Sequence, residues 1–312
     1  MESPMNETFQ VLALDGGGAR ALFAAHILAR LEDDLDIDVT ENFDLIAGTS
    51  GGGIIALALG AGMRPREIVE HYEALVDSVF PRTRRFARVF VGAFAPMYSS
   101  KRLRVGLEQV LGSTTMGDSR VRLVITAWDA ESGAAQVYKT PHHVKVRRDG
   151  RLSMVDVAMA TSAAPVYFGA ARVDSQLMLD GGIWANNPSL VGIAEAVGVL
   201  DVPLSNINLL NVGTTEAVVA HPGRLSSGGW VWWAPHAAGL VVRAGSKGGQ
   251  GLARHLLGRD RFYRFDAKVP KGLFRLDAVG KARIDAIAAL ASRHLVPTYV
   301  ERFADHKGTR LA

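Results

Sequence analysis

The chain has no cysteine among its 312 residues. That excludes disulfides, thiolate nucleophiles and thiolate metal sites together. It leaves the redox compartment open, because a protein without thiols suits any poise. Long apolar runs are missing too. The run Gly51 to Met63 falls well short of the about 20 residues that a membrane-spanning helix needs. Met1 to Gln10 carries Glu2 and Glu7 and no cationic stretch ahead of an apolar one, so no targeting segment is read there. Charged residues are 21% and aromatics 7%, against 48% hydrophobic, which excludes disordered and coiled-coil classes. A chain of this length and composition buries a large core, and a soluble, cytoplasmic protein is expected.

Acidic residues are absent from one stretch in particular. Pro81 to Arg104 holds Arg82, Arg84, Arg85, Arg88, Lys101, Arg102 and Arg104 with no Asp or Glu, in a chain whose net charge is only +4. The positive character therefore sits in one segment, and the remainder is net negative.

Apolar patterning alternates between strand and helix periods. Phe9–Leu14 and Phe43–Ala47 read as short buried strands, and Arg20–Leu35, Ile54–Leu59 and Pro65–Val79 as helices. Val121–Trp128 and Ala135–Tyr138 read as strands joined by the turn Glu131-Ser132-Gly133. A helix over Leu152–Ser162, a strand ending at Leu179, a helix from Pro188 and a strand at Ile207–Val212 follow. Helical patterns return at Pro235–Leu257 and Asp277–Phe303. Such alternation predicts an α/β fold, a three-layer α/β/α sandwich with a mostly parallel central sheet. No repeat or linker divides the chain, so residues 1–312 are expected to form a single domain, with 9–214 its core and 215–312 a helical completion.

Three Gly-rich turns carry the chemistry. Gly48-Thr49-Ser50-Gly51-Gly52 fits G-x-S-x-G between a strand and a helix, the context of a nucleophile elbow. There Ser50 projects from the sheet, and the Gly51 amide, at a helix N-terminus, favours an oxyanion. Asp15-Gly16-Gly17-Gly18-Ala19-Arg20 is a second strand-to-helix turn whose amides can converge on an anion, with Arg20 just behind it. The same glycines satisfy the dinucleotide fingerprint G-x-G-x-x-A, but the next strand ends in Ala47-Gly48-Thr49-Ser50 rather than in an acid for a ribose. Asp180-Gly181-Gly182 puts a carboxylate at a strand's carboxyl end, where open α/β sheets place their sites. A Ser…Asp…His triad is the alternative to a two-residue unit, with His221 the best-placed histidine. His142-His143 sits in a basic stretch without a carboxylate at ligand spacing, so no metal site and no cofactor are expected.

Taken together, these motifs resemble the patatin-like phospholipases, acyl hydrolases with a Ser–Asp dyad. The likeness runs from Phe9 to about Thr214 and includes Thr161-Ser162-Ala163-Ala164-Pro165 and Asn186-Asn187-Pro188, the latter expected to cap a helix. It implies that Ser50 is the nucleophile, Asp180 its general base, and Gly16, Gly17 and Gly18 donors to an oxyanion. Two positions depart from the commoner pattern, Ala21 where glycine is frequent and Gly51 where Thr or Ala is frequent. The resemblance extends to compact bacterial anti-phage effectors activated by cyclic dinucleotides, whose phosphates Arg82–Arg104 or His142–Arg151 could receive. It also implies peripheral contact with a phospholipid membrane at the inner face. Phe86, Phe90, Phe94 and Tyr98 repeat every four residues beside Arg84, Arg85 and Arg88, with Gly92 and Pro96 breaking any helix, so a kinked lid on anionic lipid is expected there.

Overall fold

The computed structural model describes residues 8–80, 95–217, 230–270, 277 and 281–311. Its first half alternates β1 (Phe9–Leu14), α1 (Leu22–Leu35), β2 (Leu45–Thr49), α2 (Ser50–Gly60), α3 (Pro65–Val79), α4 (Ser100–Leu111), β3 (Arg122–Asp129) and β4 (Ala134–Lys139). Then follow α5 (Met154–Thr161), β5 (Ala171–Val173), β6 (Gln176–Asp180), α6 (Gly182–Ala185), α7 (Ser189–Gly198), β7 (Ile207–Val212) and β8 (Glu216–Ala217). The last elements are α8 (Trp230–Leu257), β9 (Phe262–Phe265), β10 (Lys268–Val269) and α9 (Lys281–Arg302).

The main sheet runs β5-β6-β3-β2-β1-β7-β9, with β4 also on β3. The run from β3 to β9 is parallel, and β4, β5 and β6 join antiparallel. Period-2 alternation divides its side chains between two cores. Leu12, Leu14, Ile46, Leu123 and Ile125 face α1, α2, α3, α5 and α9, while Val11, Ala13, Leu45, Ala47 and Val124 face α7 and α8. This is the mostly parallel, helix-covered sheet that the patterning predicts.

At the elbow the strand expected to end at Ala47 continues to Thr49, and the helix whose apolar pattern reads from Ile54 starts at Ser50, beside the start near Gly51 that the turn motif implies. Gly51, Gly52 and Gly53 are poor helix formers, but all three are buried, and close packing there overrides propensity.

The register around β3 places the chemistry. β4 occupies one edge of β3 over Val124–Asp129. On the other edge β2 pairs as far as Thr49↔Thr126, and β6 takes the next position with Asp180↔Ala127. The carboxyl ends of β2 and β6 therefore meet head-on along β3. Thr49 Oγ1 ties the junction by hydrogen bonds to Thr126 Oγ1 at 2.8 Å and to the Ala185 carbonyl at 2.6 Å. Beside them, β1 lies between β2 and β7, so the Gly16–Gly18 turn leaves the sheet where successive connections diverge, the usual place for a ligand crevice.

Candidate active site

Ser50, the first residue of α2, has φ +51°, a left-handed conformation that a residue with a Cβ adopts only under constraint. Its amide donates to Thr161 Oγ1 at 2.8 Å. The tight elbow requires glycine nearby. A Cβ at Gly52 would lie 2.4 Å from the Leu14 carbonyl oxygen, and one at Gly48 would lie 2.7 Å from Gly53 Cα. Backbone cannot yield to such contacts.

The Ser50 hydroxyl donates to Asp180 Oδ2 at 2.7 Å. The other carboxylate oxygen, Oδ1, accepts from the Gly182 amide at 2.6 Å. Asp180 is 5% exposed, and burial pushes its carboxyl up to about 6, against the opposing pull of the Gly182 and Ser50 hydrogen bonds. Among the described residues no cation forms an ion pair with it. Gly181 lets β6 leave the sheet here, since a Cβ on it would come within 2.5 Å of the Thr126 carbonyl oxygen.

The turn after β1 faces this pair, and one part of its expected role is corrected. The Gly16 amide donates to the Asn186 carbonyl at 2.8 Å and is therefore not free to serve an oxyanion. The Gly17 and Gly18 amides meet no acceptor among the described residues, and Gly51, in the first turn of α2, has no carbonyl one turn earlier. Gly18 has φ +52°, and Tyr72 Oη donates to its carbonyl at 3.0 Å. Thr214 walls Gly17 so closely that a Cβ there would lie 2.4 Å from Thr214 Oγ1. Arg20 stands behind, its Nη1 donating to the Thr215 carbonyl at 3.3 Å, with burial pushing its guanidinium down.

A buried polar network that sequence reasoning missed holds this turn. Asp15 accepts from Arg264 Nη1 at 2.7 Å and from Asn211 Nδ2 at 2.7 Å. Arg264 also donates to Asn211 Oδ1 and, from Nη2, to Asp266 at 2.7 Å, and Asp266 in turn accepts from the Thr215 amide at 2.9 Å. One guanidinium thus joins the start of the Gly-rich turn to the segment that walls it. Tyr72 gave no signal in the sequence, whereas Thr161 lies in a motif already singled out and Arg264 lies in Tyr263-Arg264-Phe265, where a weaker family likeness continues without pointing to this role. In the expected capping segment, Pro188 is the N-cap of the following helix, and Asn187 one residue earlier accepts at Oδ1 from the Ser189 amide at 3.0 Å.

The two departures from the commoner family pattern fall on one contact. A Cβ at Gly51 would lie 2.7 Å from Ala21 Cβ and 2.6 Å from Tyr72 Oη. The methyl carried by Ala21 fills the space that a larger residue at position 51 would need.

Other expectations sort differently. Arg84, Arg85, Arg88 and Phe90 lie outside the described residues, as do Phe86, Phe94 and His221. Tyr98, the last ring of the four-residue series, packs edge-on against Phe80 at 4.8 Å and donates to Asp277 at 2.8 Å, so it is part of the body and not of a lid. His142 is corrected as a phosphate ligand. Its side chain is fully buried, with Nδ1 bonded to Thr140 Oγ1 at 2.7 Å and Nε2 to Glu195 at 3.1 Å, a carboxylate that local spacing did not reveal.

The sequence model of the Patatin-like phospholipase family matches residues 12–192. The chain belongs to that family. It is 34% identical over 293 residues to a cGAMP-activated phospholipase of Pseudomonas aeruginosa, covering 92% of this chain and 86% of that one. Proteins of the same description from Escherichia coli and Vibrio cholerae are each 37% identical, over 71% and 66% of this chain and 66% and 64% of theirs.

The Ala21–Gly51 contact makes a prediction. Gly51→Ala alone should destabilise the fold by about 1–3 kcal/mol as an overpacked site. Adding Ala21→Gly should recover part of that loss, with Tyr72 Oη and the Gly18 carbonyl oxygen, 2.8 Å from the added Cβ, holding the rest. A urea double-mutant cycle reads the coupling, and strictly additive losses would contradict it.

Proposed function

We propose that this protein is a phospholipase A-type serine hydrolase that releases fatty acids from membrane glycerophospholipids, and that a cyclic dinucleotide switches it on as a bacterial anti-phage effector at the inner face of the membrane. The observation that carries the hydrolase reading is the 2.7 Å hydrogen bond from a strained elbow serine to a buried carboxylate poised at about 6. A serine hydroxyl is a weak nucleophile at neutral pH and needs an adjacent base. Asp180 is mostly ionised at pH 7 yet basic enough to accept a proton.

In this reading Ser50 Oγ attacks the ester carbonyl as its proton passes to Asp180. The oxyanion forms against the Gly17, Gly18 and Gly51 amides, each donor being worth about 10²–10³-fold in rate. Collapse expels the lysophospholipid alkoxide, which takes the proton back from Asp180. Water then attacks the acyl-serine, Asp180 accepts its proton, and the fatty acid leaves with Ser50 restored. No histidine takes part, and no cofactor is called on.

The regulatory half rests on relatives described as cGAMP-activated phospholipases, which match most of this chain.

Ser50→Ala and Asp180→Asn should each lower fatty-acid release by about 10³-fold or more while leaving the fold intact, and the double variant should be no worse than either. His221→Ala should retain full activity. Retention of more than about a tenth of the rate in Asp180→Asn would contradict the dyad, and a comparable loss in His221→Ala would restore the triad. A panel of cyclic dinucleotides should separate a low basal rate from an activated one. Full hydrolysis without any of them would remove the regulatory half.

A further inference from the structure

Helix α8, Trp230–Leu257, is 28 residues long, and neither Asp nor Glu occurs from Trp230 to Gly258. It is anchored by its C-terminal turns, where Ala253 and Leu257 are buried against α7 and β9. From Gly239 to Gly248, by contrast, no residue is buried. Leu240 is 47% exposed, Val241 62%, Leu252 59% and Leu256 45%.

Helical spacing sorts this surface into rows. Val241 and Leu252 stand about three turns apart on one side, with Leu256 one turn further. Arg243, Lys247 and Arg254 repeat on the opposite border, separated from the apolar row by Leu240, Ala244, Gly248 and Gly251. Lys247 is paired with Glu216 at 2.7 Å. Among the described residues neither Arg243 nor Arg254 has a carboxylate within ion-pair distance.

The helix also borders the candidate active site. Gly245 packs beside the Trp184 carbonyl, and Gly249 beside that of Asn187, in the segment that follows Asp180. Arg243 is close enough to Arg20, behind the Gly-rich turn, for its charge to help push that guanidinium down.

We propose that the exposed face of α8 is the surface by which the protein docks on an anionic glycerophospholipid bilayer, beside the mouth of the hydrolase site. An exposed apolar row on a helix free of acids, bordered by arginines that meet no carboxylate among the described residues, has the chemistry of a helix lying in a lipid headgroup layer. A second copy of this chain fits less well, because a self-paired face would set its own cations against one another. The proposal rests on the phospholipase reading, and it lies on a different segment from Arg84, Arg85, Arg88 and Phe90.

Vesicle sedimentation of Ser50→Ala protein tests docking without hydrolysis. Binding to phosphatidylglycerol-containing vesicles should exceed binding to phosphatidylcholine vesicles and weaken as salt rises. Val241→Glu with Leu252→Glu, and separately Arg254→Glu, should each weaken it by about tenfold or more. The same substitutions with Ser50 intact should leave hydrolysis of a monomeric short-chain ester within about twofold of the parent. Unchanged vesicle binding in both variants overturns the proposal. So does a parallel loss of soluble-ester turnover, which marks the helix as structural, or loss of a dimer in light scattering, which marks it as a subunit interface. Docking by a protein that hydrolyses no ester would leave this proposal standing and defeat the phospholipase reading, while turnover of the soluble ester without vesicle binding would do the reverse.

Discussion

Asp180 is a carboxylate buried where no cation among the described residues pairs with it, held by two hydrogen bonds, from Ser50 and Gly182. Desolvation raises its folded-state pKa from 3.8 to about 6. A raised carboxyl binds a proton more tightly in the folded state, so the fold loses stability as pH climbs from about 4 through 6. At neutral pH the ionised carboxylate costs the structure of the order of 3 kcal/mol, and the surrounding packing must hold it in place. The meeting of β2 and β6 on one edge of β3 does so, and the glycines at positions 48, 52 and 181 allow the chain to turn there without collision.

The facing turn holds its buried carboxylates differently. Burial pushes Asp15 and Asp266 up as it does Asp180, but the two share one guanidinium, that of Arg264, which opposes that push, whereas Asp180 has no such cation among the described residues. Removing one member of such a network strands a buried charge, which makes it a rigid support for the Gly17 and Gly18 amides. Because Arg264 belongs to β9, the last third of the chain helps to shape a turn formed near its beginning. Donors fixed before the reaction need no reorganisation as negative charge develops. The mechanism proposed for this family member uses the two regions in that way.

How much of this was legible in the sequence follows from the range of each interaction. The Gly-rich turns were readable because the need for glycine is local, and so were most strands and helices, whose periodicity is local too. The pairing of Ser50 with Asp180 spans 130 residues. Local spacing could mark each as chemically placed but could not bring them together; the family resemblance did. Arg264 lies 249 residues from Asp15, and the weak family likeness around Tyr263-Arg264-Phe265 marks the segment without showing which carboxylate it meets. Gly16 looked equivalent to Gly17 and Gly18 until the Asn186 carbonyl, from a distant segment, claimed its amide. Ala21 and Gly51 looked like two independent departures, and only the structure shows that they share a contact.

The pH dependence of covalent labelling of Ser50 by a small, soluble fluorophosphonate tests the central claim most directly, because it reads nucleophile activation without lipid binding or lysophospholipid departure. The labelling rate should rise with pH through a single inflection near 6, where Asp180 loses its proton. In Asp180→Asn it should be slow, and without that inflection. A rate independent of pH between about 4.5 and 8, or labelling of Asp180→Asn that matches the parent, would contradict Asp180 as the base that activates Ser50.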